Sequence, residues 1–177
     1  MSDLTFRAES INDWKSLVRA GDRISLSGKI YTARDAAHKR IFAALESGDP
    51  LPFELKGTMI YYAGPTPAKN GLAVGSCGPT TSSRMDRYTP RLMELGVAAT
   101  IGKGPRSEEV REAIVRCGGL YLCAVGGAGA LIARSIESVK VIAYDELGCE
   151  SVKEMTVRDL PLFVGIDSRG ESAFAEL

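Results

Sequence analysis

The chain has one histidine, one tryptophan and four cysteines in 177 residues. Cys77, Cys117, Cys123 and Cys149 form no Cys-x-x-Cys pair, and His38 stands at no metal-ligand spacing from any of them. A zinc or metal-cluster site built from this chain alone is therefore not expected, and the thiols are read as buried and reduced. An excess of one charge is also lacking. Lys+Arg and Asp+Glu total 22 each, so no global field favours nucleic acid or an acidic membrane surface. No apolar run reaches the length of a membrane span, and the first seven residues lack the apolar core of a signal peptide. A cytoplasmic location is the expectation. Repeats, low-complexity tracts and long linkers are missing as well.

What is present suits a chain that buries a real core: 45% hydrophobic and 25% charged residues. The pattern predicts a mixed α/β fold in one domain, 23–172, with a helical lead-in at 1–22 and a tail at 173–177. Ser10 to Asp13 resembles a capping box, after which Ile11, Trp14, Leu17 and Val18 share a helical face. Residues 23–33 alternate as a strand or hairpin bent at Gly28. Asp35 is expected to cap a helix to about Glu46, stopped by Gly48-Asp-Pro50. Strands are expected at 58–63, 97–101, 120–125, 139–143, 152–157 and 162–166. Helices are expected at 84–95, 107–117 and 126–134.

The stretch 75–86, Gly-Ser-Cys-Gly-Pro-Thr-Thr-Ser-Ser-Arg-Met-Asp, packs turn formers, five hydroxyls, an arginine and a carboxylate into a dozen residues. Gly78-Pro79 forces a turn, and residues 80–83 are good helix caps. Free N–H groups at a helix start attract anions, and Arg84 adds a fork suited to carboxylate or phosphate. An anion pocket and a plain capped helix with an incidental arginine both fit these residues.

Two further cations stand at strand ends. Arg34 follows the strand at 23–33, and Lys103 lies between two glycines after the strand at 97–101. Arg34, Arg84 and Lys103, if they converge, would suit a substrate with more than one carboxylate. His38 reads more simply as a structural helix residue, and Lys103 taken alone as an exposed loop lysine. The glycines at 126, 127 and 129 do not match the Gly-x-Gly-x-x-Gly spacing of a dinucleotide site, and close packing explains them better.

Five motifs occur in order: Ile-Tyr-Thr-Ala-Arg-Asp-Ala-Ala-His-Lys-Arg-Ile at 30–41, Ile-Tyr-Tyr-Ala-Gly-Pro at 60–65, the stretch 75–86, Ile-Gly-Lys-Gly at 101–104, and Ala-Val-Gly-Gly-Ala-Gly at 124–129. Together they resemble the β subunit of the iron–sulfur-dependent class I fumarate hydratases, a family that includes L-tartrate dehydratase β subunits. The resemblance runs from about 24 to 172, and Cys77 departs from the family's usual alanine.

The resemblance implies a swivelling β/β/α domain and a hydro-lyase of the tricarboxylic acid cycle. It implies an active site shared with an α subunit, in a heteromer of α2β2 type. That partner's own cysteines would hold a [4Fe-4S] cluster, with none bound by this chain. By position, Thr80 matches the residue that removes the C3 proton of malate, while Arg34, Arg84 and Lys103 match residues that hold the substrate carboxylates. Thr81, Asp86 and His38 are secondary candidates. Fumarate hydratase leads over L-tartrate dehydratase. A non-catalytic anion-binding or regulatory domain is the rival from another class, and neither nucleic acid nor membrane is an expected partner.

Overall fold

The computed structural model describes residues 4–69, 71–125 and 127–174. Met1 to Asp3, Asn70, Gly126 of the glycine run and the tail 175–177 lie outside them. Seven strands form one mixed sheet in the order β1-β2-β3-β4-β5-β7-β6, and a further β2–β7 pairing closes β2, β3, β4, β5 and β7 into a barrel. The strands are β1 Leu4–Arg7, β2 Arg23–Thr32, β3 Met59–Tyr61, β4 Ala99–Gly102, β5 Leu120–Cys123, β6 Ile136–Ala143 and β7 Val152–Ile166. The helices are α1 Ile11–Trp14, α2 Asp35–Ser47, α3 Thr89–Glu94, α4 Glu108–Cys117 and α5 Gly129–Ala133. No helix among the described residues is long and apolar enough to cross a membrane.

Strands β2, β3, β4 and β5 pair in parallel, whereas β7 runs antiparallel to both β2 and β5. The parallel strands therefore all end at one rim of the barrel. Helices α2 and α4 start just beyond that rim, after β2 and β4. Side chains alternate with the two-residue period of a strand. Met59 and Tyr61 of β3 join Ile24, Leu26, Ile30, Ile101, Leu122 and Met155 in one core. Ile60 and Tyr62 face the other way, into a core with Ile41 of α2 and Leu92 of α3. A third core lies where Val110 and Ile114 of α4 cover Tyr121 and Ile166.

The bend expected at Gly28 is a register shift between Leu26 and Gly28 against β7. Gly28 has φ +120, and a Cβ there would collide with the carboxylate of Glu9. That carboxylate instead accepts the Lys29 N–H at 2.9 Å, filling the gap in the ladder.

Several expectations need correcting. The lead-in opens with strand β1, parallel to β2, and only Ile11–Trp14 is α-helical. Ser10 makes no side-chain cap there; its hydroxyl donates to the Arg7 carbonyl. Leu17 is 67% exposed, so it leaves the face shared by Ile11, Trp14 and Val18. Asp35 does not cap α2: Arg34 holds the N-cap position with extended backbone, and Asp35 occupies the first turn. The two strands expected at 152–157 and 162–166 are one, β7, because β2 pairs along both halves. All four cysteines are free; Cys77 and Cys123 are buried, but Cys149 is exposed.

Candidate active site

The barrel rim is crossed by the stretch 75–86, which is tied down at each step by backbone groups. Cys77 N–H donates to the Gly129 carbonyl, and the Tyr61 hydroxyl donates to the Cys77 carbonyl at 2.6 Å. Pro79 then bridges to Ala63, Thr80 N–H donates to the Tyr62 carbonyl at 2.7 Å, and Thr81 bridges in parallel to Lys103. Thr80 and Thr81 therefore lie across the ends of β3 and β4, Thr80 half-buried and Thr81 exposed. Close approach requires the glycine at 102, since a Cβ there would overlap Ser82 Oγ and meet the Tyr62 ring at 2.9 Å.

The helix expected at 84–95 is divided. Ser82–Met85 is a 3-10 turn, and α3 restarts at Thr89 with Pro90 near its start. The N-cap of the first turn is Thr81, whose side chain makes no capping bond. The Ser82 N–H is taken by the Lys103 carbonyl at 2.9 Å. The rim thus uses the first N–H of this turn for a backbone tie. Charged side chains, more than a helix terminus, carry any anion recognition here.

Those side chains are arranged around Asp35. Arg84 Nε lies 2.9 Å from Asp35 Oδ1, and Arg34 Nη2 lies 3.7 Å from Asp35 Oδ2. Arg34 Nε faces Glu150 Oε1 at 3.5 Å. The Arg34 Nε, Asp35 Oδ2 and Glu150 Oε1 atoms are buried without hydrogen bonds. These are ion pairs held at a distance, with hydrogen-bonding capacity left over. Beside them opens a cavity of 580 Å³ lined by Asp35, Ala36, Lys39, Arg84, Arg87, Tyr88 and Glu150.

Of the sequence candidates, Arg34 and Arg84 meet through Asp35. Thr80, Thr81 and Lys103 are joined through the rim backbone, and Arg84 belongs to the same turn. The cavity is lined by Arg84 but not by Thr80, Lys103 or Arg34. Arg84 is half exposed, and its Nε donates to Asp35 Oδ1.

Asp86 and His38 have other work. Asp86 Oδ1 accepts from Arg106 Nε at 2.6 Å, and its Oδ2 accepts from the Ser107 N–H at 2.7 Å. Both of its oxygens are engaged inside the fold. His38 is fully buried, with its Nδ1 2.8 Å from the Arg34 carbonyl and its ring against Tyr62 and Tyr88. Burial pushes its pKa down to about 4, so the ring is neutral at ordinary pH. Burial likewise raises the Cys77 thiol to about 12, leaving it a small apolar filler.

Three residues that sequence reasoning missed shape the rim. Arg106 has a fully buried side chain, with Nη1 on Thr100 Oγ1 at 3.0 Å and Nη2 on Thr89 Oγ1 at 2.7 Å. Glu150 holds Arg34 from the far side. Lys153, buried on β7, donates from Nζ to the carbonyls of Gly148, Cys149 and Ser151, fixing the turn that carries Glu150. The only sequence signal for Arg106 is its place three residues after Lys103. Nothing local marks Glu150 or Lys153, which depend on strand pairing far along the chain.

Comparison with known proteins covers this whole arrangement, because residues 3–177 match the family described as the fumarase C-terminus. The chain belongs to the fumarase C-terminal family. It is 38% identical over 98% of its length to fumarate hydratase 2 of Leishmania major, and 40% identical over 88% to the aerobic class I fumarate hydratase of Escherichia coli K12. It spans only 31% and 29% of those two proteins. It is also 40% identical over 99% of its length to a Methanocaldococcus jannaschii protein named "Putative L(+)-tartrate dehydratase subunit beta", and there it spans 92% of the relative. Fumarase C-terminal sequence thus occurs both as part of a longer chain and at the length of a separate subunit. Among the described residues no group of three or more His, Cys, Asp or Glu side chains is placed to hold a metal ion.

Proposed function

We propose that this chain is the β subunit of a hydro-lyase that adds water to, or removes it from, a four-carbon dicarboxylate, with fumarate and L-malate as the leading pair. The observation that carries the reading is the pairing of Arg34 with Arg84 through Asp35 beside the Thr80–Lys103 rim, in a chain that matches the family along its length. L-tartrate is the second reading. It is favoured by the near full-length match to the Methanocaldococcus jannaschii protein at the same 40% identity as the Escherichia coli fumarate hydratase.

In this account Arg84 offers its terminal nitrogens to one substrate carboxylate, and Arg34 and Lys103 hold the other. Positive charge at fixed positions stabilises the doubly charged enolate form of the carboxylate that builds up when the C3 proton leaves. The ionised Thr80 oxygen takes that proton as the C2–O bond breaks, and the C2 hydroxyl leaves as water on receiving a second proton from an acid that the α-subunit partner would supply. A threonine hydroxyl is a weak base, and the neighbouring cations favour its ionised form. The residues described here offer no ligand set for the [4Fe-4S] cluster that the resemblance implies. The cluster is assigned to an α-subunit partner in a cytoplasmic heteromer of α2β2 type, and no step is routed through it. The closed barrel with outlying helices would serve as the swivelling β/β/α domain.

The test is anaerobic co-expression with an iron–sulfur α subunit, followed by steady-state rates on fumarate, L-malate and both tartrates. Turnover of fumarate above all tartrates supports the leading reading, and preference for L-tartrate selects the second. No turnover of any of them by an iron-loaded complex would leave the anion-binding alternative.

A further inference from the structure

The Arg84 and Lys103 side chains come from two different loops, and their spacing decides whether both carboxylates of one substrate can be held. Those loops are fastened together at three points. At the first, Thr81 bridges to Lys103 and the Ser82 N–H donates to the Lys103 carbonyl. At the second, the buried Tyr121 hydroxyl sits 2.9 Å from Ser82 Oγ and 2.7 Å from the Gly104 carbonyl. At the third, Asp86 takes both Arg106 Nε and the Ser107 N–H. Arg84 lies between these ties, fixed at 82 on one side and at 86 on the other.

The third tie joins the buried Arg106 guanidinium to the Asp86 carboxylate. The Arg106 guanidinium reaches Asp86, Thr100 on β4 and Thr89 on α3, and it stacks over the Tyr121 ring at 4.8 Å. Its planar fork meets these partners in different directions at once, which a lysine ammonium cannot do.

We propose that Arg106 and Asp86 are positioning residues that set the spacing of Arg84 and Lys103, and thereby the preference of the site for dicarboxylates over monocarboxylates. The inference rests on the functional reading above. A dicarboxylate needs two cations at one fixed separation, whereas a monocarboxylate needs only one. Loosening the tie therefore weakens the first class of ligand and largely spares the second. A loss of general stability would not change the ratio between them.

The test is competitive inhibition of the assembled complex by succinate and by butyrate. Arg106→Lys should weaken succinate at least about tenfold and butyrate under about threefold. Should that variant fail to assemble, Thr100→Val decides. It removes one Arg106 partner while leaving the Asp86 charge matched, and it should shift the ratio in the same direction by about threefold. Folded variants with a wild-type ratio, beside a wild-type complex that prefers succinate, would overturn the positioning role alone. A wild-type complex that turns over no dicarboxylate and binds neither inhibitor would overturn the functional reading and this inference with it.

Discussion

Arg84 Nε donates to Asp35 Oδ1 at 2.9 Å, so a residue of the 82–85 turn is oriented by the first turn of α2. Asp35 also faces Arg34, which places one carboxylate between two guanidinium groups. The pairing engages Arg84 through Nε, and in the proposed site its terminal nitrogens take a substrate carboxylate.

Arg84→Lys keeps the charge but loses both the Nε contact and the fork. In the assembled enzyme kcat/KM should fall at least about tenfold, equivalent to about 1.4 kcal/mol of transition-state binding. Kinetics equal to wild type would make Arg84 a turn residue only.

His38 predicts a pH dependence of stability. Its folded pKa is depressed to about 4 from an ordinary 6.5, because burial disfavours the charged ring. The unfolded chain takes up a proton that the folded one refuses, so stability is full above about pH 6.5 and falls as the pH drops towards 4. The loss should approach about 3 kcal/mol at the lower end. Denaturant unfolding at several pH values, compared with His38→Gln, isolates this part from the carboxylates. Equal slopes for the two proteins would remove His38 from the account.

Ser107 is the one N-cap of an α-helix whose side chain accepts a first-turn N–H among the described residues, from Val110 at 3.4 Å. Ser107→Ala should cost about 0.5–1 kcal/mol, the lower part of the usual range for a lost cap because the bond is long. Urea unfolding of the two proteins measures it.

Elements governed by local pattern were legible in the sequence. The two-residue alternation gave β2, Gly28 marked its bend, and Ser107 with Glu108 and Glu109 announced α4. Elements governed by distant pairing were not. Leu4–Arg7 has too little local signal to be recognised as a strand, and it becomes one only by lying beside β2. The stretch 158–161 reads as a join between two strands, yet Pro161 pairs with Ser25 and only the register shifts beside Asp159, so β7 is one long strand. At the site, motif spacing pointed to Arg34, Arg84 and Lys103 by type. It was silent on Asp35 as the shared counter-ion of Arg34 and Arg84 and on the buried Arg106, since burial and ion pairing arise only once the rim is folded. Asp86 stood out in the motif as a possible ligand residue, whereas its two oxygens are spent on Arg106 and Ser107.

In the proposed function this chain supplies reacting groups, Thr80 above all, to a dicarboxylate hydro-lyase. The most direct measurement is exchange of the malate C3 proton with solvent in the complex with the α subunit, for wild type and Thr80→Val, beside malate affinity and thermal unfolding. Valine has nearly the shape of threonine and leaves the Thr80 N–H bond to the Tyr62 carbonyl in place. The account predicts a folded variant that binds malate within about threefold of wild type and loses exchange by about a hundredfold or more. Wild-type exchange in a folded Thr80→Val complex would contradict it.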